Sequence, residues 1–126
     1  MTKSKDQLIA DVRNAYITKK LRPERCNFGL KVADDGTIQS RRGDCCAMGA
    51  LAVGNMPVII MNDYGQQMPS WSDVIDSIAA DYGIELEDFT RGFDNMWISI
   101  PSNTSEDYLL GMKTWEAVKD LSAKTT

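Results

Sequence analysis

Apolar residues recur at helical spacing in four stretches of this 126-residue chain, and a fifth stretch has no polar side at all. The first follows Ser4, which forms a capping-box pattern with Gln7 three residues on. Behind that cap, Leu8, Ile9, Val12, Ala15 and Tyr16 fall on one side. A helix is predicted over 5–20, with Arg13, Lys19 and Lys20 outward and Pro23 ending it. The uncharged stretch runs from Asp44 to Asn55, DCCAMGALAVGN. Asp44 is placed to cap it, Gly54 and Asn55 to close it, and Pro57 to prevent its return. A helix apolar all round is buried on every side, so this segment is predicted to be the central pin of the fold. Gly49 in its middle costs about 1 kcal/mol against alanine, which predicts a neighbour packed directly on it.

Three more helices follow. Ser70 caps one whose stripe is Trp71, Val74, Ile75, Ile78, Ala79 and Tyr82, and Gly83 ends it. A shorter one over 87–95 turns Leu86, Phe89 and Phe93 inward. Thr104 or Ser105 starts the last, with Tyr108, Leu109, Met112, Trp115, Val118 and Leu121 as its apolar side. Lys119 and Lys124 suit the negative end of its dipole. Between the first helix and the pin, Phe28, Leu30 and Val32 alternate with Gly29, Lys31 and Ala33. Asp35-Gly36 is a two-residue turn signal, so a hairpin is predicted over 27–33 and 37–41. The run PVIIM at 57–61 fits a buried strand or a helical turn, and Asn62-Asp63-Tyr64-Gly65 after it is turn chemistry. WISIPSNTS reads as extended loop, and the tail at 123–126 as frayed. The expected architecture is one domain over 1–126, mainly α with a small β-hairpin (α+β), built around a buried central helix.

The segment Cys45-Cys46-Ala47-Met48-Gly49-Ala50-Leu51-Ala52 resembles one in small uncharacterised phage and bacterial proteins. In those, a Cys-Cys-x-x-Gly-x-Leu helix is followed by an Asn-Asp turn and a helix with an Ile-Ala stripe. Here the turn is Asn62-Asp63 and the stripe is Val74, Ile75, Ile78 and Ala79. The resemblance covers about a third of the chain and leaves out residues 1–25 and 98–126. It implies a phage or prophage origin and a mostly helical fold, and it implies no activity.

Composition is that of an ordinary globular chain, 43% hydrophobic and 25% charged. No apolar run approaches the roughly 20 residues that span a bilayer, so no membrane partner is expected. The first residues, MTKSKDQLIADVR, contain no uncharged signal-peptide core, and a cytoplasmic location in a host cell is expected. Three cysteines, two of them adjacent, do not make a secreted disulfide framework. The net charge of −4 is unevenly spread. Residues 1–25 hold seven basic and three acidic side chains, and residues 63–94 hold eight acids and only Arg91.

Cys45 and Cys46, at a helix start with Arg41 and Arg42 upstream, are the candidate nucleophiles or redox switch, since both features favour thiolate. The chain has no histidine, so no Cys-His pair exists and the commonest general base is missing. A zinc site would lack a second paired-cysteine knuckle, and adjacent cysteines close a disulfide only with strain. Asp34, Asp35 and Asp44 lack the alternating ligands and closing Glu of an EF-hand loop. The glycines at 43, 49 and 54 do not fit a phosphate loop. Carboxylate pairs for acid–base work are too numerous to single one out. Trp71, Trp97, Trp115, Met56, Met61 and Met68 read as core rather than as a cofactor box, with room for some of them to be exposed, since Trp and Met are enriched at contact surfaces. No enzyme activity, cofactor or metal is expected.

What remains is an interaction protein. Asp73, Asp76, Asp81, Glu85, Glu87 and Asp88 form the predicted partner-binding acidic face, directed at a host protein with a basic surface. An anti-defence inhibitor such as an anti-CRISPR protein fits by class analogy. Nucleic-acid binding through Lys19, Lys20, Arg22 and Arg25 is a lesser alternative, since no aromatics interleave with these charges. A homo-oligomer is left open.

Overall fold

The hydroxyl of Ser4 accepts a hydrogen bond from the Gln7 amide (3.1 Å), so helix α1 (Lys5–Thr18) begins where the capping pattern puts it. The computed structural model describes residues 3–25, 29–94 and 105–122. Leu8, Val12, Ala15 and Tyr16 form the buried side of α1. The helix does not run to residue 20. Lys20 takes a left-handed φ of +58°, and the Leu21 amide donates to the Tyr16 carbonyl (2.9 Å). This is a Schellman closure with lysine where glycine is usual. Pro23 therefore lies beyond a completed turn, in strand β1 (Arg22–Pro23).

Strand β1 pairs in parallel with β4 (Asp44–Cys45), and the hairpin β2 (Leu30–Val32) and β3 (Ile38–Ser40) lies between them in sequence. The hairpin loop is three residues, 34–36, with Val32 opposite Ile38. The carboxylate of Asp35 accepts from the Thr37 amide (3.0 Å), and Gly36 takes φ +86°. Residues 34–36 are the gap left between the predicted strands, spanned by a three-residue loop with its glycine at positive φ instead of by a two-residue Asp-Gly turn.

Asp44 does not cap the central helix. Pairing with β1 draws residues 44–45 into a strand, where the Asp44 carboxylate lies 3.8 Å from the Arg22 guanidinium. Helix α2 (Ala47–Ala52) starts later and is six residues long. Its N-cap is Cys46, whose Sγ accepts from the Gly49 amide at 3.5 Å. The run at 57–61 supplies strand β5 (Val58–Met61), antiparallel to β6 (Gln67–Ser70). The fold thus has two hairpins where one was expected. Between these strands the Asn62 side chain accepts from the Tyr64 and Gln66 amides (2.9 and 3.0 Å). Helix α3 (Trp71–Tyr82) follows β6 directly. Ser70 occupies the N-cap position without a side-chain bond, because its backbone is still paired with Val58. Gly83, at φ +66°, ends α3 as predicted.

Helices α4 (Leu86–Phe93) and α5 (Glu106–Ser122) complete the described chain, and Ser105 caps the latter by accepting from the Tyr108 amide (3.1 Å). The chain is mainly helical, with five helices and three short strand pairs among the described residues. Its core joins Leu8, Val12 and Tyr16 to Ile38, Met48, Ile75, Phe89, Phe93 and Val118. Helix α2 packs against α1, α3 and α4. Residues 27–28, the segment around Trp97 and the tail at 123–126 lie outside the described residues.

The apolar side of α5 is rotated from the predicted one. Leu109 and Met112 are exposed, while Gly111 and Thr114 face inward. The reason is a close helix crossing. A Cβ on Gly111 would lie 2.1 Å from the Phe89 carbonyl oxygen, and one on Gly92 would lie 1.9 Å from that of Tyr108. Two facing glycines let the α4 and α5 backbones touch, and the larger apolar side chains are displaced to either side. Phe93 meets Trp115 edge-on at 5.4 Å beside this crossing.

Replacing Gly111 with Ala should lower unfolding free energy by about 3 kcal/mol, since neither facing backbone can yield without separating the helices. Urea unfolding monitored by tryptophan fluorescence measures it. A loss below about 0.5 kcal/mol would rule out backbone contact at this crossing.

Candidate functional site

A six-residue helix has too few turns to bond all of its own backbone, so the cysteine segment is also held by groups from elsewhere. The Tyr16 hydroxyl donates to the Cys45 carbonyl (2.8 Å). Lys19 Nζ donates to the carbonyls of Ala50 (3.1 Å) and Val53 (2.5 Å) at the C-terminal end. The Asn55 amide donates to those of Leu51 and Ala52. The Glu24 amide reaches the Cys45 carbonyl (3.0 Å) across the β1–β4 pair.

The two thiols are sealed inside this scaffold. Cys45 is fully buried and Cys46 is 4% exposed. Burial pushes the Cys45 thiol up to about 12, with Asp44 adding to the shift, and burial also raises Cys46. Lys19, the nearest cation acting on Cys45, opposes the shift without overcoming it. A groove of about 470 Å³ lined by Tyr16, Lys20, Leu21 and Arg22, and another of about 520 Å³ lined by Arg25, Leu109, Met112, Lys113 and Glu116, are bordered by neither cysteine. Among the described residues no group of three or more Cys, Asp or Glu is arranged to hold a metal ion.

The basic residues singled out at 19–25 are mostly committed within the chain. Lys19 caps α2, and Arg22 lies near Asp44. Arg25 stacks 4.1 Å from the Trp115 ring centroid and donates to the Phe93 carbonyl (3.1 Å). Of the four, Lys20 projects from the left-handed turn without such a contact. Arg13, predicted to face solvent, binds Asp120 (2.9 Å) and the Ala117 carbonyl, tying α1 to α5.

The six acidic residues are carried by two helices. Asp73 and Asp76 share the exposed side of α3, and Asp81 lies near its end. Glu85 is the N-cap residue of α4, and Glu87 and Asp88 sit in its first turn, where the helix dipole favours them. Glu87 pairs with Arg91 (2.8 Å). Asp73, Asp76, Asp81, Glu85 and Asp88 enter no ion pair among the described residues. Several other carboxylates are matched with cations, as in Lys5 with Glu106 and Asp107, Arg13 with Asp120, and Lys119 with Glu116.

Sequence reasoning missed the hairpin β5–β6. Val58, Ile59, Ile60 and Met61 are each about half exposed, Met56 and Met68 are likewise open, and Tyr64 is 88% exposed. Met56, Met61 and Met68 are thus the exposed members of the Trp and Met set, because the hairpin touches the helical body chiefly along α3 and is not covered by it. Trp71 and Trp115 are partly buried against the core. The pairing itself had a signal: an uncharged run, an Asn-Asp-Tyr-Gly turn, then Pro69. No helix of the described residues is long and apolar enough to cross a membrane.

The chain matches no protein-family model, no curated protein and no solved structure. Its function is argued from its own surface.

The buried thiols yield two measurable expectations. In a Cys26→Ala background, a small alkylating agent at neutral pH should leave Cys45 and Cys46 unmodified until denaturant is added, as followed by intact mass. Fast modification of the folded protein would mean an open sulfur. In alkali, the folded state keeps Cys45 protonated up to about pH 12 while the unfolded chain ionises from about 8.5. Its contribution to stability is complete below pH ~8.5 and is lost as pH rises towards ~12. Tyr16 and Tyr82, also raised by burial, act in the same direction, and Lys19, lowered by burial, acts against it. Urea midpoints should fall from pH 8.5 to 10.5, less steeply in Cys45→Ala.

Proposed function

We propose that this chain is a non-enzymatic interaction protein that captures a partner with a basic surface through the carboxylates of α3 and α4. The observation that carries this reading is the contrast in charge pairing. Lys5, Arg13, Arg22 and Lys119 are paired with carboxylates and Lys19 and Arg25 with carbonyls, while Asp73, Asp76, Asp81, Glu85 and Asp88, on two consecutive helices, enter no ion pair among the described residues. Unmatched charge of one sign steers and orients an oppositely charged partner and contributes little to the fold itself.

The reading extends to a phage-encoded protein acting in the host cytoplasm, with an anti-defence inhibitor of the anti-CRISPR kind as its most specific form. The size of the chain and its acidic balance, with a sequence pI of about 4.7, support this, because proteins that grip nucleic acid offer a basic groove to an acidic mimic. The buried, protonated thiols weigh against the redox-switch alternative, and the internal engagement of Lys19, Arg22 and Arg25 weighs against nucleic-acid binding.

The test replaces Asp73 and Asp76 together with Lys, since both are exposed and neither supports a packed contact. Immobilised wild-type protein should retain basic proteins from a bacterial lysate, with retention falling at least about tenfold between 0.05 and 0.3 M salt. The double variant should lose both the retention and its salt dependence. Equal retention by the two proteins would eliminate the acidic surface as the binding element.

A further inference from the structure

The two edges of hairpin β5–β6 differ. In an antiparallel pair, hydrogen-bonded and non-bonded residue pairs alternate. The Asn62 amide donates to the Gln66 carbonyl (2.9 Å), so Ile60–Met68 and Val58–Ser70 are the bonded pairs. Ile59–Pro69 and Met61–Gln67 are then the non-bonded pairs, and their backbone polar groups point away from the ribbon. On the β6 side Pro69 has no N–H to offer. On the β5 side Ile59 and Met61 present two N–H and two C=O groups, which find no partner among the described residues.

Proteins usually protect such an edge with lysine, proline or a bulge. Within Val58–Met61 this edge has none of these, and Pro57 lies just before it. Asp63 in the turn is the one charged residue between Asn55 and Ser72. The two faces carry Val58, Ile60 and Met68 on one side and Ile59, Met61 and Pro69 on the other. A two-stranded ribbon alone is marginal in water. From their fractional exposures, Met56, Val58, Ile59, Ile60, Met61, Tyr64 and Met68 leave on the order of 800 Å² open, the area one partner contributes to a standard interface.

We propose that β5 pairs antiparallel with β5 of a second copy of this chain, about a twofold axis at Ile60, making a four-stranded sheet with the two β6 strands outermost. The pairing is self-complementary. With Ile60 opposite Ile60, Ile59 of each copy faces Met61 of the other. The four open backbone groups of one strand meet the same four of its twin, leaving none unpaired. Charge also selects a second copy. A twofold contact sets identical residues near one another, which a charged strand resists, and β5 has no charge. A basic partner would find its carboxylates on α3 and α4, and none on this strand. The inference does not depend on what those helices bind.

Sedimentation velocity of the full chain from about 1 to 100 µM tests it. The wild type should be dimeric in the upper part of that range. Ile60→Lys places like charges opposite each other on the axis and should weaken the dimer more than about 100-fold. Ile60→Glu should do the same, and mixing the two variants should restore a heterodimer. Met61→Pro removes an outward N–H without touching the bonds to β6, and it should also yield monomer, so the result stands even if a variant at Ile60 fails to fold. A wild type that stays monomeric at 100 µM overturns the proposal and leaves the edge to a different protein. A dimer that survives both Met61→Pro and Ile60→Lys overturns it as well.

Discussion

The short central helix cannot satisfy its own backbone, and much of the surrounding structure is arranged to do so. Helix α2 has six residues, and its side chains bring no nitrogen or oxygen. A terminal amide or carbonyl of this helix that is buried costs about 1–3 kcal/mol if left unpaired, as the Gly49 amide would be. The Cys46 sulfur covers one amide, and Lys19 and Asn55 cover the last carbonyls. The Tyr16 hydroxyl and the β1 backbone take the carbonyl of Cys45, just ahead of the helix. These groups come from α1, from the turn after it and from the loop after α2. The left-handed turn at Lys20 and the parallel pairing of β1 with β4 both bring the chain to these orphan groups.

In this arrangement the cysteine segment is tied to its neighbours through its backbone, and its two thiols are buried. Three cations serve as caps and clamps: Lys19 on α2, Arg25 between Trp115 and the Phe93 carbonyl, Arg13 on α5. Each cation so used is unavailable to ligands. The outer carboxylates of α3 and α4 and the uncharged hairpin β5–β6 therefore remain as the two surfaces whose composition the fold does not explain. One is charged and the other apolar, and they suit different kinds of contact.

Much of the element plan was legible where a local rule acts alone. Ser4 and Ser105 cap helices because a hydroxyl next to a free amide needs no distant partner. Gly83 ends α3 because only a residue tolerant of positive φ can do so cheaply, and Asn62 folds the second turn through its own side chain. The buried stripes of α1 and α3 follow from spacing. The misreadings arise where a distant segment overrides such a rule. Asp44 looks like a cap until β1 draws it into a strand. Leu109 and Met112 look buried until α4 crosses α5 at Gly92 and Gly111 and turns a thinner side inward. The glycines themselves were visible, but nothing local shows that they face each other.

For the candidate sites the division is sharper. The residue order alone established a mainly helical chain with an uncharged, small-residue segment that had to be buried, the absence of histidine, and a run of carboxylates between residues 63 and 94. These follow from composition and period, which are properties of neighbours along the chain. Tertiary structure decided which carboxylates lack a cation, which basic residues are consumed as caps, and that Val58 to Met61 stand in solvent instead of in the core. An apolar run states only that burial is favourable. What is available to bury it depends on where the helices have already packed, and here they leave that strand with an open edge.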